Sequence, residues 1–410
     1  MTIADALAAL AKRYPGESGA RQPVHTVYGG AQLFKSDTTV KLGALALRAL
    51  QEHGGGPRDF ARAIGIDEEI AETIHARVVE KLKREPVEDF RIDFEDGYGN
   101  RPDDEEDGHA AAAAREVAAG MKNGTLPPFL GIRIKTFSQE LMPRALRTME
   151  IFLTTLVDSA GALPPGFVVT LPKIQIVEQV AALADAFDAL EPKLGLGAGT
   201  LKMEFMIETT QVIPILGQLP DAARGRAVAA HFGTYDYTAS CNITAAQQRM
   251  DHPACDFARH MMQVAYAGTG LWLSDGATNI MPIGDRATIH AAWRLHVEHI
   301  RNSLINAFYQ GWDLNPAQLP TRYAAVYGFF LEGLPAATER LRNFIQKAGQ
   351  ATLVGDVFDD AATGQGLLNY FLRALNCGAI TEEEALSTGL TLDEFRSRSF
   401  VKILKGRRGA

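Results

Sequence analysis

The sequence is poor in cysteine, has no excess of basic residues and contains no long apolar run. Its 410 residues include three cysteines, none of them paired as Cys-x-x-Cys. An odd number of separated thiols argues against a disulfide framework, so we expect a reducing, cytoplasmic environment. The formal net charge is -8 at pH 7, and there is no basic stripe. We therefore expect no nucleic-acid partner.

Membrane and export signals are also missing from the pattern. No apolar run reaches the roughly 18 residues that a membrane-spanning helix needs. Residues 1–19 have no basic region followed by an apolar core, and their spacing is typical of a short amphipathic helix. We therefore expect neither a membrane partner nor a signal peptide.

Short apolar runs rich in strand-forming residues alternate with segments whose apolar residues follow helical spacing. Eight runs are candidate strands: 25–34, 88–96, 129–137, 166–174, 201–209, 230–238, 270–284 and 311–319. The alternation predicts an α/β fold with a parallel sheet, and eight strands predict a (β/α)8 TIM barrel. A doubly wound sheet is the alternative, because periodicity alone does not exclude it.

The last quarter of the chain is predicted to be helical. Capping-box sequences, Thr-x-x-Glu, begin at Thr381 and Thr391 and mark two helix starts. The predicted domains are a catalytic barrel with an N-terminal helix (1–320) and a C-terminal helical domain (321–410). The acidic segment 102–108 is predicted to be a solvated turn.

Charged residues alternate with apolar ones inside several candidate strands. Arg91, Asp93 and Glu95 share one face of the second strand, and the third and fifth strands alternate in the same way. A buried parallel strand is normally almost all apolar, and a charge inside a barrel is costly unless it is paired or bound to a metal. One interpretation is a set of ion pairs that fills the barrel. The other is a group of acids and bases that meets at the barrel mouth.

In barrels of this kind, active sites lie at the C-terminal ends of the strands. The charged residues predicted at strand ends are Asp96, Arg133, Lys173, Glu208 and Asp236. Acids crowded into one mouth repel each other, so we expect a cation among them. Oxygen ligands with no nearby His or Cys cluster favour Mg²⁺ over Zn²⁺.

Several short motifs, in this order and spacing, resemble the superfamily of the citrate lyase β-subunit, malyl-CoA lyase and malate synthase. They are FEDG (94–97), GIRI (131–134), LPKI (171–174), MIET (206–209), FGTYDYT (232–238) and GWDLNPAQL (311–319). The later segment FDDAAT (358–363) resembles the C-terminal helical domain of malate synthases. The resemblance covers roughly residues 25 to 380 and implies the same barrel.

The resemblance implies roles for five residues at the mouth. Glu208 and Asp236 match the two Mg²⁺ ligands of the superfamily. Arg133 matches the arginine that polarises a substrate carbonyl or keto-acid oxygen. Glu95 and Asp96 match the acidic pair that holds the waters of the metal.

Substrate contacts and a general base are implied as well. The turn of Gly233, Thr234 and Tyr235 is expected to bind a substrate carboxylate through backbone N–H groups, and Lys173 is a further candidate substrate ligand. Asp360 matches the general base of malate synthases, while helix N-capping is the structural alternative for this aspartate.

The implied function is that of a Mg²⁺-dependent carbon–carbon lyase or synthase. An enolate formed from an acyl-CoA would attack a 2-oxo acid such as glyoxylate, or the same parts would run the cleavage. Two alternatives stay open: an aldolase for 2-oxo acids that does not use CoA, and a non-catalytic metabolite-binding protein. We also expect a homo-oligomer.

Overall fold

The structure, a computed structural model, describes residues 2–16, 19–346, 352–354, 357–359 and 361–408. Eight strands form a closed barrel in chain order, and every neighbouring pair is parallel. They are β1 (His25–Gly30), β2 (Asp89–Asp93), β3 (Phe129–Arg133), β4 (Val168–Leu171), β5 (Lys202–Ile207), β6 (Ala227–Phe232), β7 (Trp272–Ala277) and β8 (Gln310–Asp313). The predicted TIM barrel is confirmed, and the doubly wound alternative is wrong.

Sixteen α-helices occur in the described ranges, and most of them surround the barrel. The first eight are α1 (Ile3–Arg13), α2 (Thr38–Ala49), α3 (Pro57–Ile64), α4 (Ala71–Arg84), α5 (Asp103–Asn123), α6 (Met142–Ala160), α7 (Val177–Lys193) and α8 (Leu219–Ala222). The others are α9 (Thr234–Ser240), α10 (Pro253–Tyr266), α11 (Arg286–Ile305), α12 (Leu319–Gln346), α13 (Ala361–Asn376), α14 (Glu382–Leu386), α15 (Leu392–Arg396) and α16 (Phe400–Arg408). A further hairpin pairs β9 (Thr352–Val354) with β10 (Val357–Asp359).

Two local predictions are wrong. The segment 102–108 is not a turn but the start of α5, whose first turn carries four acids. Negative side chains are favourable there because the N–H groups of a first turn are exposed and the helix dipole is positive at that end. The candidate strand at 230–238 ends at Phe232, and after Gly233 the chain enters α9. This change of structure turns Asp236 back over the mouth.

The parity of the strands determines what lies inside the barrel. Ile92, Ile132 and Phe205 are fully buried between the strands and the surrounding helices. Each such side chain contributes about 1.5–3 kcal/mol by leaving water. The alternate residues, Arg91 and Glu204 among them, point into the barrel and are also buried. The apolar core is therefore the layer between sheet and helices, and the barrel interior is ionic.

The C-terminal helices pack around the N-terminal end of the barrel, opposite the mouth. Arg373 of α13 donates to Gln22, which precedes β1, and lies 3.9 Å from the ring of Tyr309, which precedes β8. α12 begins just after β8, and Gly364 of α13 lies against Phe344 near the other end of α12. The predicted boundary at residue 320 lies in the first turn of α12. The division into two domains stays a prediction.

The capping boxes predicted at Thr381 and Thr391 are confirmed, since each threonine side chain accepts from the N–H of the glutamate three residues on. None of the helices in the described part of the chain has the length and apolar character required to cross a bilayer.

Candidate active site

Six charged residues meet at the C-terminal end of the barrel, and we call them the mouth cluster. They are Glu95, Asp96, Arg133, Lys173, Glu208 and Asp236, which end or follow β2, β3, β4, β5 and β6. Parallel strands bring their carboxyl ends to the same rim of a barrel, so residues far apart in sequence become neighbours. The predicted strand-end residues are therefore brought together.

Arg133 is fixed from below by Asp93. Its Nε donates to Asp93 Oδ1 at 2.7 Å and its Nη2 to Asp93 Oδ2 at 2.6 Å, a bidentate pair. The remaining amine nitrogen, Nη1, lies 3.2 Å from Glu95 Oε2. The rings of Tyr28 and Trp312 lie 4.9 and 5.6 Å from the guanidinium carbon. Arg133 is thus a buried, pre-oriented cation with one nitrogen on the acidic side of the mouth.

Lys173 contacts all four acids of the mouth cluster. Its backbone N–H donates to Glu208 Oε1 at 2.7 Å. Its ammonium contacts Glu95, lies 3.0 Å from both carboxylate oxygens of Asp96, and lies 4.0 Å from Asp236 Oδ1. The ammonium group therefore lies among Glu95, Asp96 and Asp236. The Mg²⁺ ion expected among these acids stays a prediction.

Glu208 is buried and short of positive charge. Burial raises its pKa to about 8, and the negative charges of Asp236 and Glu95 add to the effect against the opposing field of Arg133. A Cβ placed on Gly233 would lie 2.4 Å from Glu208 Oε2. Only glycine at this position leaves room for the carboxylate.

Asp236 lies in the first turn of α9 and its side chain is about half exposed. Burial of the remainder and the neighbouring Asp96 raise its pKa, although Lys173 opposes the shift. Glu208 and Asp236 are thus adjacent carboxyl groups that each resist ionisation. Such a pair fits a divalent cation, which would stabilise both charges, and Mg²⁺ typically takes only one or two protein carboxylates. No group of three or more His, Cys, Asp or Glu side chains suited to a metal ion occurs in the described ranges.

The residues of the predicted carboxylate-binding turn make structural contacts. The N–H of Gly233 donates to Ile207 O, and the hydroxyl of Thr234 contacts Met250 Sδ. The hydroxyl of Tyr235 donates to the carbonyl of Ala277 in β7. The turn is therefore tied to β5, β7 and the segment after α9, and any carboxylate contact falls to backbone N–H groups beyond Gly233.

A second charged layer lies below the mouth cluster inside the barrel. Arg91 donates to Glu204 Oε1 and Oε2 at 2.7 and 2.6 Å and also contacts Asp89. His231 Nε2 lies 3.2 Å from Glu204 Oε2. These residues form ion pairs that fill the interior. The charged strands therefore supply internal ion pairs in this lower layer and a group of acids and bases at the mouth.

Three mouth residues were missed by the sequence reasoning. Asp93 shares the strand face of Glu95, so parity alone could have placed it beneath the mouth. Tyr28 and Trp312 contact each other at 4.3 Å and cover one side of Arg133. They belong to the first and last strands, which become neighbours only when the barrel closes.

Asp360, the predicted base, lies outside the described residues. The helix that follows it, α13, packs in its described part against the N-terminal end of the barrel and not against the mouth. The role of Asp360 stays a prediction.

Solved structures with the same fold include a citrate lyase from Burkholderia xenovorans LB400, with 19% identity and a TM-score of 0.60 over 90% of this chain and 97% of that chain. CitE from Mycobacterium tuberculosis, in complex with magnesium, acetoacetate and coenzyme A, has 15% identity and a TM-score of 0.53 over 88% and 99%. A magnesium/glyoxylate complex of Haloferax volcanii malate synthase has 14% identity and a TM-score of 0.51 over 93% and 97%. The suspected resemblance to this superfamily is confirmed at the level of the fold.

No curated protein matches the chain. One family model covers residues 3–403, from α1 into α16. The chain therefore belongs to the family described as "Domain of unknown function (DUF6986)".

Proposed function

We propose that the protein is a Mg²⁺-dependent carbon–carbon lyase or synthase that acts on a 2-oxo acid and an acyl-CoA through an enolate. The observation that carries the proposal is the meeting of Glu208 and Asp236 around Lys173 at the same rim as Arg133. This set combines a place for a divalent ion with a buried cation for a substrate oxygen.

Arg133 binds and orients the 2-oxo acid in this proposal. Asp93 occupies two of its nitrogens and fixes the plane of the guanidinium. Nη1 then donates to the keto or carboxylate oxygen of the substrate. Because the guanidinium group is already oriented and buried, it stabilises negative charge on that oxygen without reorganising.

Glu208 and Asp236 would hold Mg²⁺, which supplies Lewis-acid polarisation and charge stabilisation when bound. Lys173 fixes the Glu208 carboxylate through its N–H and keeps Glu95 and Asp96 beside it. Glu95 and Asp96 would accept hydrogen bonds from the waters that a bound Mg²⁺ carries. Removal of the substrate proton is assigned to Asp360 by the resemblance.

The ligands of two proteins with this fold support the substrate class. Magnesium, acetoacetate and coenzyme A accompany the mycobacterial CitE, and magnesium and glyoxylate accompany the Haloferax malate synthase. Each complex contains magnesium and a small oxo acid. The mouth cluster offers carboxylates for a divalent ion and a buried guanidinium for an oxo acid.

The test is turnover with defined substrates in the presence of Mg²⁺. Acetyl-CoA and glyoxylate are incubated with the protein and free thiol is measured; malyl-CoA is used for the reverse direction. We expect one of these reactions to proceed, and Glu208→Gln to abolish it. Glu150→Gln on α6, which removes an exposed carboxylate, is the control expected to keep full activity.

Two outcomes oppose the proposal. Release of pyruvate from 4-hydroxy-2-oxo acids without any CoA reaction would favour an aldolase. No turnover of either substrate class, together with tight binding of the oxo acid, would favour a metabolite-binding protein.

A further inference from the structure

A cavity opens at the N-terminal end of the barrel, opposite the mouth cluster. Its volume is about 500 Å³. It is lined where the strands begin by Phe129, Val168, Lys202, Ala227, Trp272 and Gln310. Barrel interiors are normally packed, and this end of a barrel usually serves stability. A cavity of ligand size at this end of the barrel is therefore a candidate binding site.

One wall of the cavity is aromatic and apolar. Phe129 at the start of β3 and Trp272 at the start of β7 meet edge to face with 5.8 Å between their ring centroids. Val168 of β4 lines the same cavity. Aromatic walls of this kind favour a flat apolar group that stacks or packs edge-on.

The floor of the cavity retains hydrogen-bonding capacity. His231 lines it and is only 3% exposed. Its Nε2 lies 3.2 Å from Glu204 Oε2 in the lower charged layer. Glu204 is already held by the Nε and Nη2 atoms of Arg91. The imidazole therefore lines the cavity as a buried polar group that shares the Glu204 carboxylate with Arg91.

The rim of the cavity is basic. Lys12 and Arg13 come from the last turn of α1, and Lys202 begins β5. Arg13 donates to the carbonyl of Gly217 at 2.7 Å and pairs with Asp221, the acid on the rim, at 3.3 Å. These contacts fix the end of α1 beside the cavity and neutralise Asp221. Lys12 and Lys202 remain as surplus positive charge.

We propose that this cavity is a binding site for a small organic anion with a flat apolar body, separate from the mouth. The apolar body would lie against Phe129 and Trp272, His231 would bond a polar atom of it, and Lys12 and Lys202 would face its negative charge. An aromatic carboxylate and a nucleoside monophosphate share this chemistry.

The probe is 8-anilinonaphthalene-1-sulfonate, an aromatic anion, titrated against the full chain by fluorescence. We expect saturable binding that Lys12→Gln with Lys202→Gln weakens by about fivefold, since partly exposed charges contribute little more. Ala227→Phe, which fills the cavity from the half-buried start of β6, should remove the binding. The charge-matched control is Lys41→Gln with Lys402→Gln, both exposed and outside the cavity; it should leave the binding unchanged.

Competition then distinguishes the two sources of the anion. Benzoate or adenosine monophosphate at millimolar concentration should displace the probe, and the one that does identifies the class. Displacement by neither overturns the proposal. Probe binding that survives Ala227→Phe would also overturn it. So would an equal loss of probe affinity in the Lys12/Lys202 variant and the Lys41/Lys402 control. Because these readouts need no turnover, failure of the proposed reaction leaves the test intact.

Discussion

The backbone N–H of Lys173 donates to Glu208 Oε1 at 2.7 Å, while the ammonium of the same lysine lies among the other acids of the mouth. Lys173 makes both contacts from a left-handed conformation with φ of 50°. For a residue with a side chain this conformation costs about 1–2 kcal/mol. The strain is located where one residue both positions a candidate metal ligand and neutralises its neighbours.

The position of that ammonium predicts competition between Lys173 and Mg²⁺. Lys173→Asn removes the charge, and asparagine tolerates a left-handed backbone better than most residues do. The carboxylates then lose their internal counter-ion, so we expect Mg²⁺ to bind roughly tenfold more tightly. Isothermal titration calorimetry measures this. Lys173→Arg keeps the charge and should stay close to the parent affinity; weaker binding in the asparagine variant would contradict the competition.

The raised pKa of Glu208 predicts how metal binding depends on pH. A carboxyl group whose pKa rises from 4.5 to about 8 on folding stabilises the folded state below pH 4.5, and this stability is lost as pH rises through about 8. Mg²⁺ requires the carboxylate, so its binding releases a proton. We expect the rise in Tm caused by Mg²⁺ to be larger at about pH 8 than at about pH 6. In Glu208→Gln this difference should disappear; an equal rise at both pH values in the parent would contradict the assignment.

The two charged layers predict opposite effects for two similar substitutions. Glu204→Gln breaks the buried pair with Arg91 and should destabilise the fold by about 3–5 kcal/mol. It should leave Mg²⁺ affinity nearly unchanged, because Glu204 belongs to the lower layer. Glu208→Gln should remove Mg²⁺ binding and change the stability of the metal-free protein by only about 1 kcal/mol. Urea unfolding measures the stability of both variants, and calorimetry measures their Mg²⁺ affinity. Loss of Mg²⁺ binding in both variants would contradict the assignment of Glu204 to a separate, structural layer.

The fold was predictable because its signals are periodic. Eight apolar runs at regular spacing predicted eight strands, and the alternation within β2 predicted an ionic face. Boundaries were less predictable where a single residue changes the structure. At Gly233 the chain leaves β6 and enters α9, although the sequence on both sides favours a strand.

The candidate site was predictable as a set of charges but not as a set of contacts. Parity placed Arg133 and Glu208 on inward faces, and strand ends placed them at one rim. No pattern in the sequence reports that the Lys173 ammonium lies among the acids or that Trp312 covers Arg133. Those contacts follow from barrel closure and from the turn after β4, which bring together residues that are distant in sequence.

Two adjacent aspartates near the end of the chain, Asp359 and Asp360, are expected to differ in their effect on activity. We propose, from the resemblance to malate synthases, that Asp360 removes the substrate proton, whereas Asp359, the last residue of β10, has no assigned chemical role. Asp360→Asn should keep Mg²⁺ affinity and lower kcat by at least about 100-fold, the usual range for loss of a general base. Asp359→Asn is the matched control and should keep most of the activity, since it removes the same charge one residue away. Equal activity in the two variants would leave Asp360 as a helix cap and require a base from the mouth cluster itself.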